Sequence, residues 1–300
     1  MMKDYYKKLY WRAGQEITPE TFEHADNYNC VQQNLIRRLL NLQYYGLLPV
    51  NEASAPSLTV QATLNGSEIS VEQLRCNGIT KEGHLIAFDN YPLRNRLSFA
   101  ALTARTCYVV LRVKSFEYNL IEPVENEETP LALPIYELDI KELTQIAGNE
   151  LPVLKIENSG YNSRIDWSYI PPCMSFSSYQ RLREQYRELK QLLTEILSAM
   201  AAKKAQFQPV IQPFTFLLFD LDQLLPNNPP YDLILILKKM VKTVTFFVKS
   251  VPPSITEMLN IPYIHDDISI ILHSFMKCFQ DMHLFIGKER VIEEDFTPRI

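Results

Sequence analysis

The run SYQRLREQYRELKQLLTEILSAMAAKK, from Ser178 to Lys204, constrains this chain more than any other stretch. Tyr179, Leu182, Tyr186, Leu189, Leu193, Ile196 and Met200 follow one another at intervals of three and four. Only an α-helix puts such positions in one stripe, and a seven-residue repeat held over three heptads is the pattern of a coiled-coil seam. Leu192 and Leu197 widen the stripe near its end, as further helices joining a bundle would require. The repeat fits a helix that associates with copies of itself, and it also fits an amphipathic helix lying on its own domain. Self-association is the expectation adopted here.

Upstream of this helix the chain reads differently. Thr18-Pro19-Glu20 is a helix start: an N-cap hydroxyl, a proline at the first helical position and an acid in the first turn. Phe22, Ala25, Tyr28, Val31, Leu35, Leu39 and Leu42 are expected along one face of that helix, with Gly46 as its C-terminal cap and Pro49 beyond. A short strand is expected before it, at Leu9–Arg12. Alternation then predicts strands. LTVQATL (58–64) and EISVEQL (68–74) flank an Asn65-Gly66 turn. HLIAF (84–88), CYVVLRV (107–113), IYELDI (135–140) and PVLKIE (152–157) follow, and PVENEETP (123–130) reads as an exposed loop. Several short strands without a βαβ rhythm predict an antiparallel sandwich. Pro171-Pro172 reads as a stiff linker between domains. Further helices are expected around Phe214–Leu225, at Tyr231–Val248 and from His265-Asp266-Asp267 onward, where an aspartate caps and Ile268, Ile271, Leu272, Phe275, Phe279 and Met282 form the apolar face; a short polar tail follows Gly287. The predicted fold class is therefore β + α: an N-terminal antiparallel β-sandwich shell domain with one leading helix over 1–172, then an α-helical neck or bundle over 173–300.

The residues offer little chemistry. The five cysteines, Cys30, Cys76, Cys107, Cys173 and Cys278, are odd in number and widely spaced, which is neither a disulfide framework nor a zinc site. They read as reduced, mostly buried thiols of a cytoplasmic protein. No P-loop, GxGxxG, HExxH or GxSxG occurs. His265-Asp266-Asp267 explains itself as a helix cap rather than a metal site, and His273 and His283 are ten residues apart and only partly aligned. Cys173 has no neighbouring histidine, and Asp220 and Asp222 point in different directions on a helix. No catalytic residue, no metal and no cofactor are expected. A net charge of -5 with scattered basic doublets argues against nucleic acid as a partner. The N-terminus lacks the apolar segment of a signal peptide. The most apolar run, Leu233–Val248, carries Lys238, Lys239 and Lys242, so a buried helix is expected there and no membrane span.

Five segments resemble TssK, a baseplate subunit of the type VI secretion system, in the order that family has them. WRAGQEITPETFEHADNY resembles its opening, with Trp11, Gly14, Pro19, Phe22, Asp26 and Tyr28 in the family's places. YYGLLP (44–49), YIPPCMSFSS (169–178), PPYDLILILKKMV (229–241) and IPYIHDDI (261–268) are similar to its later segments. Two departures stand out. Thr21 replaces a usual histidine, and the chain ends soon after its last helix, where the family continues into a head domain that reaches the membrane complex. The resemblance implies a non-catalytic homotrimer of a contractile injection system. Its shell, similar to phage receptor-binding proteins, would bind wedge subunits of the TssF/TssG kind, at the cytoplasmic face of the inner membrane. It makes Tyr179–Met200 the expected trimer seam and Trp11–Tyr28 the expected wedge side. Without the head, the route to the envelope anchor is expected to differ. A phage-like receptor-binding or adhesin protein is the alternative.

Overall fold

The computed structural model describes residues 8, 10, 12–40, 44–50, 55–89, 96–121, 131–159, 162–248 and 251–288. Half of the expected Leu9–Arg12 strand lies outside these residues, and the 123–130 loop lies wholly outside. Two compact units are present, Met1–Met174 and Ser175–Ile300. The fold is β + α, antiparallel sheets first and helices after.

The first unit begins with helix α1, Pro19–Leu40. Thr18 starts it through a reciprocal pair: the Thr21 amide donates to the Thr18 hydroxyl at 3.4 Å, and the Thr18 amide donates to the Thr21 hydroxyl at 3.0 Å. Thr18 also holds the Glu20 carboxyl below its ordinary range by hydrogen bonding. The buried side of α1 differs from the expected one. Asn27 and Val31 are buried, whereas Phe22 and Leu39 stand exposed. Asn34 sits against the turn at Gly83, where a Cβ would come within 2.2 Å of its carbonyl oxygen, so only glycine at φ +90° lets the helix approach.

Among the described residues nine strands make two antiparallel sheets. In the first, β3 (Glu68–Ile79) is central. On one side it pairs β1 (Gly46–Leu47) and β2 (Leu58–Asn65); on the other it pairs β4 (Leu85–Asp89) and β5 (Arg96–Ser98). Asn65 pairs with Glu68 around a two-residue turn whose Gly66 has φ +61°, one step later than a turn centred on Asn65-Gly66. The second sheet runs β7 (Leu131–Lys141), β6 (Thr106–Ile121), β8 (Glu150–Glu157), β9 (Arg164–Ile165). Residues 107–111 of β6 are buried on both faces, which is why CYVVL reads as an unbroken apolar run. Tyr108 and Val110 pack with Tyr169, Leu143 and Ile146, while Val109 and Leu111 fall on the opposite face. Tyr136 of β7 links the sheets: its ring lies edge-on to Phe88 at 5.3 Å, and its hydroxyl accepts from the Ala87 amide at 3.4 Å.

Two expectations need correction in this unit. Gly46 does not cap α1. It sits in β1 at φ +115°, where a Cβ would lie 2.1 Å from the Pro172 carbonyl oxygen. Nor is Pro171-Pro172 an open linker. Both prolines are buried, the Leu47 amide donates to Pro172 at 2.8 Å, and the Met174 amide donates to Leu47 at 3.0 Å. The segment forms a parallel bridge at Leu47 and Cys173.

In the second unit Ser175 and Ser178 form a capping box around a 3-10 turn at Phe176–Ser178. Four long helices follow: α2 (Gln180–Ala202), α3 (Lys204–Asp222), α4 (Pro230–Phe247) and, after the short α5 (Pro253–Thr256), α6 (Ile268–Lys288). Helix α3 begins ten residues before the expected Phe214 and holds Pro209 and Pro213 inside it. Helix α2 packs on α3 and α6, and α3 packs on α4, so the unit is a helical bundle. The α6 face predicted from its spacing, from Ile268 to Met282, is buried.

Candidate interaction surfaces

The seam of α2 faces inward. Leu182, Leu189, Leu193, Ile196 and Met200 are fully buried among helices of the same chain, and Tyr179 and Tyr186 are half-buried. The Tyr186 hydroxyl donates to the Leu221 carbonyl on α3 at 2.8 Å. Gln185, also buried, meets His273 of α6 at 3.1 Å. The heptad stripe is therefore covered by α3 and α6, and its apolar area is not available as an exposed self-association surface. The period was read correctly; what covers it was not, because a helix bundle and a coiled coil demand the same stripe.

Helix α3 behaves differently. Its inner side buries Phe207, Val210, Phe214 and Leu221. Its outer side presents Phe216 and Phe219, 62% and 61% exposed, in line with Pro209 and Gln212 at intervals of three and four. A helix apolar on both sides is normally covered on both sides. At the end of α4, Phe246 stands 77% exposed, edge-on to Phe247. The sequence carried this signal in FTFLLFDL, a stretch with too many apolar residues for one face.

In the first unit the residues expected at the wedge side are spread along the start and outer face of α1. Trp11 lies outside the described residues. Gly14 turns at φ +77° and is exposed; Pro19 and Asp26 are exposed; Phe22 is 57% exposed; Tyr28 is half-buried. They do not converge on one pocket. Ile36 and Leu39 join Phe22 as exposed apolar side chains of this helix. Spacing alone had assigned Leu39 to the covered face and left Ile36 out.

The main charged cluster is structural. Glu150 has a fully buried carboxylate. Lys141 reaches its two oxygens at 2.6 and 2.9 Å, Arg112 donates at 2.7 Å and the Ala147 amide at 2.8 Å. Burial alone would raise the Glu150 pKa, but these donors outweigh it and hold the carboxyl below its ordinary range. Arg112 also bonds Asp139 at 3.1 Å. Every strong acceptor in the cluster is occupied, so it locks β6, β7 and β8 together. Asp166 is held low in the same way: burial opposes ionisation, and Ser168 and Lys155 overcome it.

Burial raises the thiols of Cys76 to about 12, Cys107 to about 11 and Cys278 to about 12, and pushes Cys173 upward, opposite to an activated nucleophile. His265 pairs with the Tyr263 hydroxyl at 2.7 Å, and Asp267 accepts from Ser269. Asp222 pairs with Lys190 at 2.8 Å, and Asp220 is exposed. Among the described residues no three His, Cys, Asp or Glu side chains are grouped to hold a metal ion, and no helix is long and apolar enough to cross a membrane. An open cleft of about 570 Å³ lies beside the β2–β3 turn, lined by Gly66, Ser67, Phe99, Leu102, Thr103 and Asn158.

No family model matches the sequence, and no curated relative matches it. Solved structures do resemble it. A TssK–TssF–TssG baseplate subcomplex of the type VI secretion system, seen by cryo-electron microscopy, has a chain that superposes with a TM-score of 0.62 at 13% identity, covering 93% of this chain and 99% of that one. A crystal structure of TssK gives 0.61 at 16% identity, covering 92% of this chain and 69% of that one. TssK from EAEC, bound to a nanobody, gives 0.59 at 13% identity, with 88% and 99% covered. The chain shares the fold of TssK across both of its units.

Proposed function

We propose that this chain is a structural component of a type VI secretion baseplate, a homotrimeric adaptor that performs no catalysis. One observation carries the reading: the TssK fold extends over 93% of the chain, through sandwich and bundle alike. In one of the similar structures TssK stands with TssF and TssG. Wedge subunits of that kind are the proposed partners of the first unit, with the outer face of α1 around Phe22 as the contact. The protein is placed by this reading in the cytoplasm, at the inner face of the inner membrane. Division into a shell near 1–172 and a neck near 173–300 is part of the same proposal.

Trimer formation is assigned to the outer side of α3. Phe216 and Phe219 expose apolar area that a monomer leaves in water, and its burial is worth about 25 cal/mol per Å². Light scattering on a sizing column tests this directly: the expected mass is near three times 34.9 kDa. Co-purification with TssF- and TssG-type subunits is expected from the same sample. A monomer that captures neither subunit overturns the adaptor reading and leaves the receptor-binding alternative to be tested on glycan arrays.

A further inference from the structure

Among the described residues, the outer strands of the two sheets carry devices against pairing with another chain, and β2 does not. Strand β7 carries Pro134, Glu137 and Asp139; β4 and β5 are short, with Asp89 and Arg96; β9 is two residues long and contains Arg164. Shortness, proline and charge are the usual devices that blunt an edge. Strand β2, LTVQATLN, has none of them. It is eight residues long, uncharged and free of proline. The irregularity in its pairing belongs to β3, where Glu72 is the extra residue between Val71 and Gln73, so β2 itself runs straight. Among the described residues β2 pairs with β3 alone.

The neighbouring position shows what this row accepts. β1 and β2 lie on the same side of β3, and the chain's own Pro172–Met174 segment bonds to the outer edge of β1. Along β2 no described segment bonds to the same row. Val60, Ala62 and Leu64, the alternate positions that follow buried Leu58, are only half covered.

We propose that the outer edge of β2 accepts an extended segment of a partner protein as an added strand. The segment is uncharged, with apolar side chains at every second position that complete the cover over Val60, Ala62 and Leu64. The proposal concerns the first unit alone and holds whichever assembly the chain joins.

The test titrates a fluorescent heptapeptide, Thr-Val-Thr-Leu-Thr-Val-Gln, against the full chain by anisotropy. Two twins are N-methylated on odd or on even residues. Successive amides of a strand point to opposite edges, so one twin is expected to bind like the parent and the other at least about tenfold more weakly. Val60→Lys and Leu64→Lys are each expected to weaken the parent about tenfold while the far-UV circular dichroism stays unchanged. Absence of saturable binding up to about 1 mM, or equal binding by both twins, overturns the proposal without any variant being needed. A drop in the mass of the chain itself on Val60→Lys would assign the edge to a second copy and overturn it too.

Discussion

Helices α2 and α3 lie against each other, and both are rich in large apolar side chains, yet they treat water differently. Helix α2 keeps its apolar residues in a strict stripe, and the chain fully buries its aliphatic positions from Leu182 to Met200. Helix α3 spreads its residues around its circumference, and two phenylalanines remain in solvent. A clean periodicity marks the face a chain covers by itself. A helix without a polar side marks the place where it has run out of its own cover.

The comparison breaks most visibly at Leu189. An aspartate there puts an unpaired charge in the bundle core, and Leu189→Asp is expected to abolish cooperative folding of the second unit, a loss above about 4 kcal/mol. Circular dichroism with urea denaturation checks it. A folded but monomeric Leu189→Asp protein would return the seam to self-association. The sandwich offers a matching test of buried charge. Glu150→Gln leaves Lys141 and Arg112 facing a neutral group, and a loss of about 3 kcal/mol in chemical denaturation is expected. The pH dependence follows from the same carboxylate. Its folded pKa is depressed, so its contribution is complete above the unfolded pKa of about 4.3 and is lost as pH falls through the folded value. Glu150→Gln should therefore flatten the acid limb of the stability profile.

Smaller effects sharpen the contrast from the α3 side. Phe216→Ser and Phe219→Ser are each expected to weaken association by about 2 kcal/mol, read as a shift of the mass-against-concentration curve. The stability of the separated monomer should change by less than about 0.5 kcal/mol, because these side chains touch solvent rather than core. Gly66→Ala sits at the small end. A Cβ there meets nothing, so only the left-handed φ is penalised, by about 1 kcal/mol in thermal or urea unfolding.

Much of the fold was legible as pattern. The alternation of LTVQATL and EISVEQL around a glycine turn, the Thr18-Pro19 start and the α6 stripe each encode their element locally, through side-chain period and backbone preference. Strands β1 and β9 were not legible. Two residues carry no period, and they are strands because β3 and β8 lie beside them. On α1 the spacing put Phe22 on the covered face, yet it is exposed, since the α1 pattern admits more than one inward side and the tight approach of Gly83 to Asn34 chose between them. The exposed aromatics of α3 lay inside the expected Phe214–Leu225 helix but were not singled out, because FTFLLFDL carries too many apolar residues to define one inward face.

The sequence by itself determined the order of elements, the apolar stripe of α2 and the absence of familiar catalytic motifs, because each is written in spacing along one segment. Only the tertiary structure decided what lies against those segments. It covered the α2 seam with α3 and α6, put Gly46 against Pro172 rather than at a helix end and, among the described residues, paired β2 with β3 alone. Periodicity states which face must leave water; the packing of distant segments decides what replaces the water there.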